Sequence, residues 1–88
     1  MKSYDEICRA AIGCFGIKSQ VDVAHEELGE LEVALYHFKR GKADMNDVRT
    51  EIADVAIMTY QLALIFGIEE VQAEIGKKLE RLERRLAR

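Results

Sequence analysis

Seven apolar residues, Ile17, Val21, Ala24, Leu28, Leu31, Leu35 and Phe38, follow one another in steps of four and three without a miss. A strand repeats every second residue, so this spacing predicts one amphipathic helix of about six turns. The same period recurs on either side of it. Ser3 is placed to cap a first helix, with Glu6 at the capping-box position. Tyr4, Ile7, Cys8, Ala11, Ile12 and Phe15 form its stripe, and Gly16 stops it. Gly41 ends the second helix just past Lys39 and Arg40, whose charge suits a helix C-terminus. Asp44-Met45-Asn46-Asp47 supplies caps for a third helix that ends at Gly67. Ile68, Val71, Ile75, Leu79, Leu82 and Leu86 mark a fourth, running to the end of the chain. The expected fold class is all-α: residues 1–88 as a single domain, a small four-helix bundle.

Composition adds that the bundle needs company. Of 88 residues, 49% are apolar or aromatic, enough for a globular core. A chain this short nevertheless buries only about 60–65% of its unfolded surface, so a lone copy is marginal. The second half of the third helix, Val55 to Phe66, is apolar on nearly every side. A helix of that kind must be covered all round, which places it at a subunit interface and predicts a homodimer or homotetramer. The absence of proline and tryptophan, with only six glycines, fits neither a disulfide scaffold nor a turn-rich β-sandwich.

Cys8 and Cys14 lie six apart, which suits neither a zinc site nor a C-x-x-C redox pair. They read as two thiols of a reducing compartment. The N-terminal residues lack the apolar centre of a signal peptide. The longest apolar run, Leu62 to Gly67, falls far short of the roughly 20 residues of a membrane helix. The expectation is a soluble, cytoplasmic protein with no membrane partner.

The net charge of −3 is unevenly spread. Residues 22–54 balance at −5 and residues 77–88 at +4. An acidic chain is a poor sheath for a nucleic-acid polymer, so none is expected as a partner. The acidic middle calls for cations.

The informative residues are acids beside apolar faces. On the second helix Glu27 and Glu30 stand about 60° apart, and Glu26 completes an arc of about 100° with them. On the third, Glu51 and Asp54 repeat the i, i+3 spacing between Val48, Ile52 and Val55. Two such helices face to face gather four carboxylates, which must protonate, turn to solvent or be neutralised by a cation. Oxygen ligands with no histidine or cysteine among them suit a hard ion, Mg²⁺ or Mn²⁺. Paired i, i+3 ligands on facing helices are an established way to build a metal site in a bundle. His25 and His37 lie away from the acids and read as surface residues.

Glu26-Glu27-Leu28-Gly29-Glu30-Leu31 followed by Glu51-Ile52-Ala53-Asp54-Val55, after Gly16-Ile17-Lys18-Ser19-Gln20-Val21, resembles the MazG-like all-α nucleoside triphosphate pyrophosphohydrolases. Their signature is E-E-x-x-E and then, after a variable gap, E-x-x-D. Here 20 residues separate Glu30 from Glu51, and the order of four helices also agrees. The resemblance implies hydrolysis of a (deoxy)nucleoside triphosphate to the monophosphate and pyrophosphate, a nucleotide-pool house-cleaning activity. It assigns Glu27, Glu30, Glu51 and Asp54 to Mg²⁺. Glu26 is a candidate for holding or deprotonating the attacking water. Near the C-terminus the family commonly carries a lysine, an asparagine four on and an arginine three further. Lys78 and Arg85 match, Arg81 is also basic, and Leu82 replaces the asparagine. These three cations are the expected contacts to the triphosphate. Gln20 occupies a position where the family often has glutamine.

Tyr4, Phe15, Tyr36 and Phe38 are the aromatics available to stack on a base. Two other functions fit the same residues. One is hydrolysis of phosphoribosyl-ATP, which shares this chemistry and fold. The other is a non-catalytic association module whose heptad-like second and fourth helices bind one another or a partner while the acids stay solvated.

Overall fold

The computed structural model describes residues 1–88 as four α-helices: α1 (Tyr4–Phe15), α2 (Ile17–Lys39), α3 (Met45–Phe66) and α4 (Ile68–Leu86). There are no strands, and the architecture is the all-α bundle that the periodicity predicts.

The helix ends follow from side-chain chemistry. Ser3 Oγ accepts the Glu6 amide at 3.1 Å while Glu6 Oε1 accepts the Ser3 amide at 3.0 Å, closing the predicted capping box. Asp44 and Asp47 make the same reciprocal pair at the start of α3, both at 2.9 Å. Between them the chain reverses through a Schellman motif. Lys42 N–H donates to His37 C=O at 2.8 Å and Gly41 N–H to Phe38 C=O at 3.0 Å. Gly41 has φ +71°, a conformation that costs a residue with a Cβ and costs glycine nothing.

This turn folds α2 and α3 into a hairpin that is the main packing unit. Its register is visible in three facing pairs: Gln20 with Gln61, Glu27 with Asp54, and Glu30 with Glu51. Seven residues forward on α2 is seven back on α3, then three forward is three back, as antiparallel helices require. Helix α1 packs on both members of the hairpin. Cys8, Ala24 and Met58 are the buried apolar residues, one from each of the three helices.

Tyr60 fastens α1. Its ring meets Tyr4 edge-on with centroids 5.2 Å apart, and its hydroxyl donates to Asp5, which also accepts from Arg9 Nε at 2.8 Å. The Tyr60 hydrogen bond, followed by the Arg9 guanidinium, holds the Asp5 carboxyl below its ordinary value. The same bond holds the Tyr60 phenol above its own. Tyr60→Phe is expected to lower Tm by about 3–6 °C and to let the Asp5 pKa rise, read by thermal melts and an NMR titration. An unchanged melt would show that α1 is held by its apolar contacts alone.

Only five of the 88 residues are buried. The apolar stripe of α2 is therefore only partly covered: Ala24 is buried, but Leu28, Leu35 and Phe38 are each 44% exposed. Helix α4 leaves α3 at Gly67 with a bend of 114° and meets no other element. No single helix is long and apolar enough to cross a membrane.

Candidate metal centre

The hairpin register brings the two acidic motifs together. From α2, Glu27 and Glu30 turn toward α3, and from α3, Glu51 and Asp54 answer them. One carboxylate oxygen each of Glu27, Glu51 and Asp54 lies within 4.8 Å of the others. Glu30 stands close enough to raise the pKa of both Glu27 and Glu51.

Two oxygens in this cluster have no hydrogen-bond donor, and the groups their carboxyls face, Asp54 and Glu30, are carboxylates too. Glu27 Oε2 and Glu51 Oε2 are shielded from solvent and accept no hydrogen bond. Shielded carboxylate oxygens are normally hydrogen-bonded or on a metal, because losing water without replacement is costly. The chain thus presents unsatisfied, convergent, purely oxygen donors, and that set fits a hard divalent cation. Burial, then the charges of Glu30, Asp54 and Glu51, pushes the Glu27 carboxyl above its ordinary value of 4.5. Burial, then Glu30 and Asp54, does the same to Glu51.

Raised carboxyl pKa values have a definite sign in stability. Between the unfolded value near 4.5 and the raised folded values, the folded protein binds more protons, so stability falls as pH rises through that window. Asp5 and Glu6 are lowered instead, and their effect is confined to pH below their ordinary values of 3.8 and 4.5. The metal-free protein is therefore expected to melt higher just above pH 4.5 than at pH 7.5. A divalent cation held by these carboxylates would remove that difference. Thermal melts at the two pH values, with EDTA or with Mg²⁺, check both statements.

Glu26 is exposed and stands with Glu30 and Glu51 on the wall of an open groove of about 860 Å³ between α2 and α3. Val33 and Ala34 give the groove an apolar patch, while His37, Lys42 and Thr50 line it further toward the turn. A smaller cavity of about 100 Å³ lies beside Glu27 and Asp54, against Val23, Ile57 and Met58. The carboxylates thus stand between a wide polar opening and a narrow apolar one.

The three predicted phosphate contacts are elsewhere. Lys78, Arg81 and Arg85 are exposed on α4, which meets only α3, and none of them lines either cavity. One chain does not bring them to the acids. Among the aromatics, Tyr4 is committed to Tyr60, and Tyr36 to Arg40, whose guanidinium lies 5.3 Å from its ring centroid. Phe15 and Phe38 are free, with 62% and 44% of their surface exposed. His25 is exposed, and His37 is an exposed residue of the groove.

Gln20 is buried two turns from Glu27, and its Nε2 donates to Gln61 Oε1 at 2.6 Å. The sequence reading missed Gln61. Its one signal was a lone amide in the apolar half of α3, with another amide in register on α2.

Comparison with protein-family models, curated proteins and solved structures returned no match.

Proposed function

We propose that this protein is a Mg²⁺-dependent nucleoside triphosphate pyrophosphohydrolase of the MazG-like kind, working as a homo-oligomer in the cytoplasm. The observation that carries this reading is the convergence of Glu27, Glu51 and Asp54, with two shielded oxygens left without partners. The resemblance of E-E-x-x-E and E-x-x-D to the family signature supplies the reaction.

In this reading Glu27, Glu30, Glu51 and Asp54 would hold Mg²⁺, with Mn²⁺ as a substitute, and the bound ion would supply charge neutralisation to the phosphates and the leaving pyrophosphate. Glu26, on the groove wall, orients the attacking water and takes its proton. Water attacks the α-phosphorus, the bond to the α,β-bridging oxygen breaks, and the monophosphate and pyrophosphate leave. Lys78, Arg81 and Arg85 would meet the triphosphate charge only from another copy, since α4 stands away from the acids within one chain.

The test is pyrophosphate release from standard and damaged nucleoside triphosphates and from phosphoribosyl-ATP, each with and without Mg²⁺. Metal-dependent release from any nucleoside triphosphate supports the reading, and release from phosphoribosyl-ATP alone moves the enzyme to that substrate. Silence from a folded, monodisperse protein supports the association module, which the exposed apolar stripes of α2 and α4 favour. In that case Mg²⁺ leaves Tm unchanged.

A further inference from the structure

The acidic centre opens two ways, and the two openings differ in kind. On one side lies the groove of about 860 Å³ between α2 and α3, and on the other the cavity of about 100 Å³ against Val23, Ile57 and Met58. Helix period sets Glu26, Glu30, Val33 and His37 within an arc of about 60° on α2, with His37 two turns and about 10 Å beyond Glu30. The groove therefore runs from the carboxylates to the turn that joins the two helices.

The turn end carries the groove's one cation. Lys42 is the only lysine or arginine on its wall, and its ammonium takes part in none of the chain's three ion pairs. The other polar side chains there are occupied. Asp47 Oδ2 accepts the Asp44 amide at 2.9 Å, and Thr50 Oγ1 donates to the Asn46 carbonyl at 3.0 Å. His37 belongs with Lys42, because the Schellman motif bonds the Lys42 amide to the His37 carbonyl at 2.8 Å and so fixes where both side chains start.

A nucleoside triphosphate meets this arrangement with one polarity. Its α-phosphate, where the bond breaks, belongs at the acidic centre. Beyond it the β- and γ-phosphates carry most of the negative charge, and only the groove offers them a cation and water. The nucleoside is the less charged end, and the apolar cavity beside Glu27 and Asp54 suits it. Reversed, the polyphosphate would face Val23, Ile57 and Met58, where no donor replaces its lost water.

We propose that Lys42, with His37 beside it, is the subsite for the β- and γ-phosphates. The triphosphate lies along the α2–α3 groove with its tail toward the turn and its nucleoside toward Val23, Ile57 and Met58. The identity of the ligand rests on the hydrolase reading, to which this adds a substrate-binding cation from the same chain as the acids. Of the two products, pyrophosphate is then the one that Lys42 holds, and the monophosphate is the one it does not touch.

The test uses the whole chain with Mg²⁺ and measures each product separately by titration calorimetry, beside steady-state turnover. Lys42→Gln is expected to weaken pyrophosphate binding about tenfold, to raise the triphosphate KM by a similar factor, and to leave kcat and the affinity for the standard nucleoside monophosphates nearly unchanged. Lys42→Arg keeps the charge and is expected to restore pyrophosphate affinity. Lys39→Gln, an exposed lysine off the groove, is the control. All three variants are expected to melt with the wild type, since Lys42 is exposed as well. Equal loss of affinity for both products in Lys42→Gln would overturn the proposal. Turnover by a wild type whose pyrophosphate affinity is indifferent to Lys42 keeps the hydrolase and removes this subsite. Pyrophosphate held through Lys42 by a protein that hydrolyses no triphosphate keeps the subsite and removes the hydrolase. A folded protein that binds neither product loses both.

Discussion

If the proposed hydrolase reading holds, Glu51→Gln is expected to abolish Mg²⁺-dependent pyrophosphate release, by on the order of 100-fold or more, while raising the Tm of the metal-free protein. The two effects have one origin. Glu51 contributes one of the two shielded, unpartnered oxygens, and its carboxyl is pushed up by burial and by Glu30 and Asp54. Removing its charge relieves repulsion, so the apo Tm rises by about 2–5 °C. In the proposed reading the same substitution also removes one of the four carboxylates that would hold the ion. Groups that only support a ligand are commonly worth about 10–100-fold in metal affinity or activity, so a ligand itself sets the larger figure. Wild-type protein at a hundred-fold excess of Mg²⁺ over its Kd should gain about 10–20 °C in Tm, and the variant should gain almost none. Glu32→Gln, an exposed acid outside the metal-facing arc, is the control and should change neither quantity. Melts that rise with Mg²⁺ equally in wild type and variant would place the ion elsewhere.

Gln61→Leu is the second large effect. It removes the acceptor of Gln20 Nε2 in a site where both side chains are buried. A buried donor without a partner costs about 1–3 kcal/mol, so Tm should fall by about 5–15 °C. Gln20→Leu should cost a similar amount, because it strands the other amide. The double substitution leaves no stranded amide and should cost clearly less than the two singles combined, with a coupling of about 0.5–3 kcal/mol. Additive losses would mean that the two amides do not depend on one another. The pair lies in the same register as Glu27 with Asp54, two turns along the hairpin, so it holds the alignment on which the acidic centre depends.

Much of the local structure was legible in the residues. Ser3 with Glu6, Asp44 with Asp47, and Gly41 announce helix ends because a cap joins groups within a few positions of one another. The i, i+3 spacing of Glu27 with Glu30, and of Glu51 with Asp54, placed each pair on one helix face for the same reason. The helix period converts sequence distance into angle without reference to anything else.

Period alone carries no information about what faces what. That Glu27 meets Asp54, that Glu30 meets Glu51, and that Gln20 meets Gln61 depends on how α2 slides along α3, and packing with the turn at residues 40–44 decides it. The stripes of α2 and α4 looked alike on the page, yet α2 finds a partner within the chain and α4 does not, because Gly67 turns α4 away by 114°. The sequence by itself determined four helices, their ends and the faces that carry acid. Only the tertiary structure decided which carboxylates share a site, which amides pair, and which cations stay out of reach within one copy. Helical character is set by neighbours a few residues apart, whereas register and helix direction are set by contacts between residues far apart in the chain.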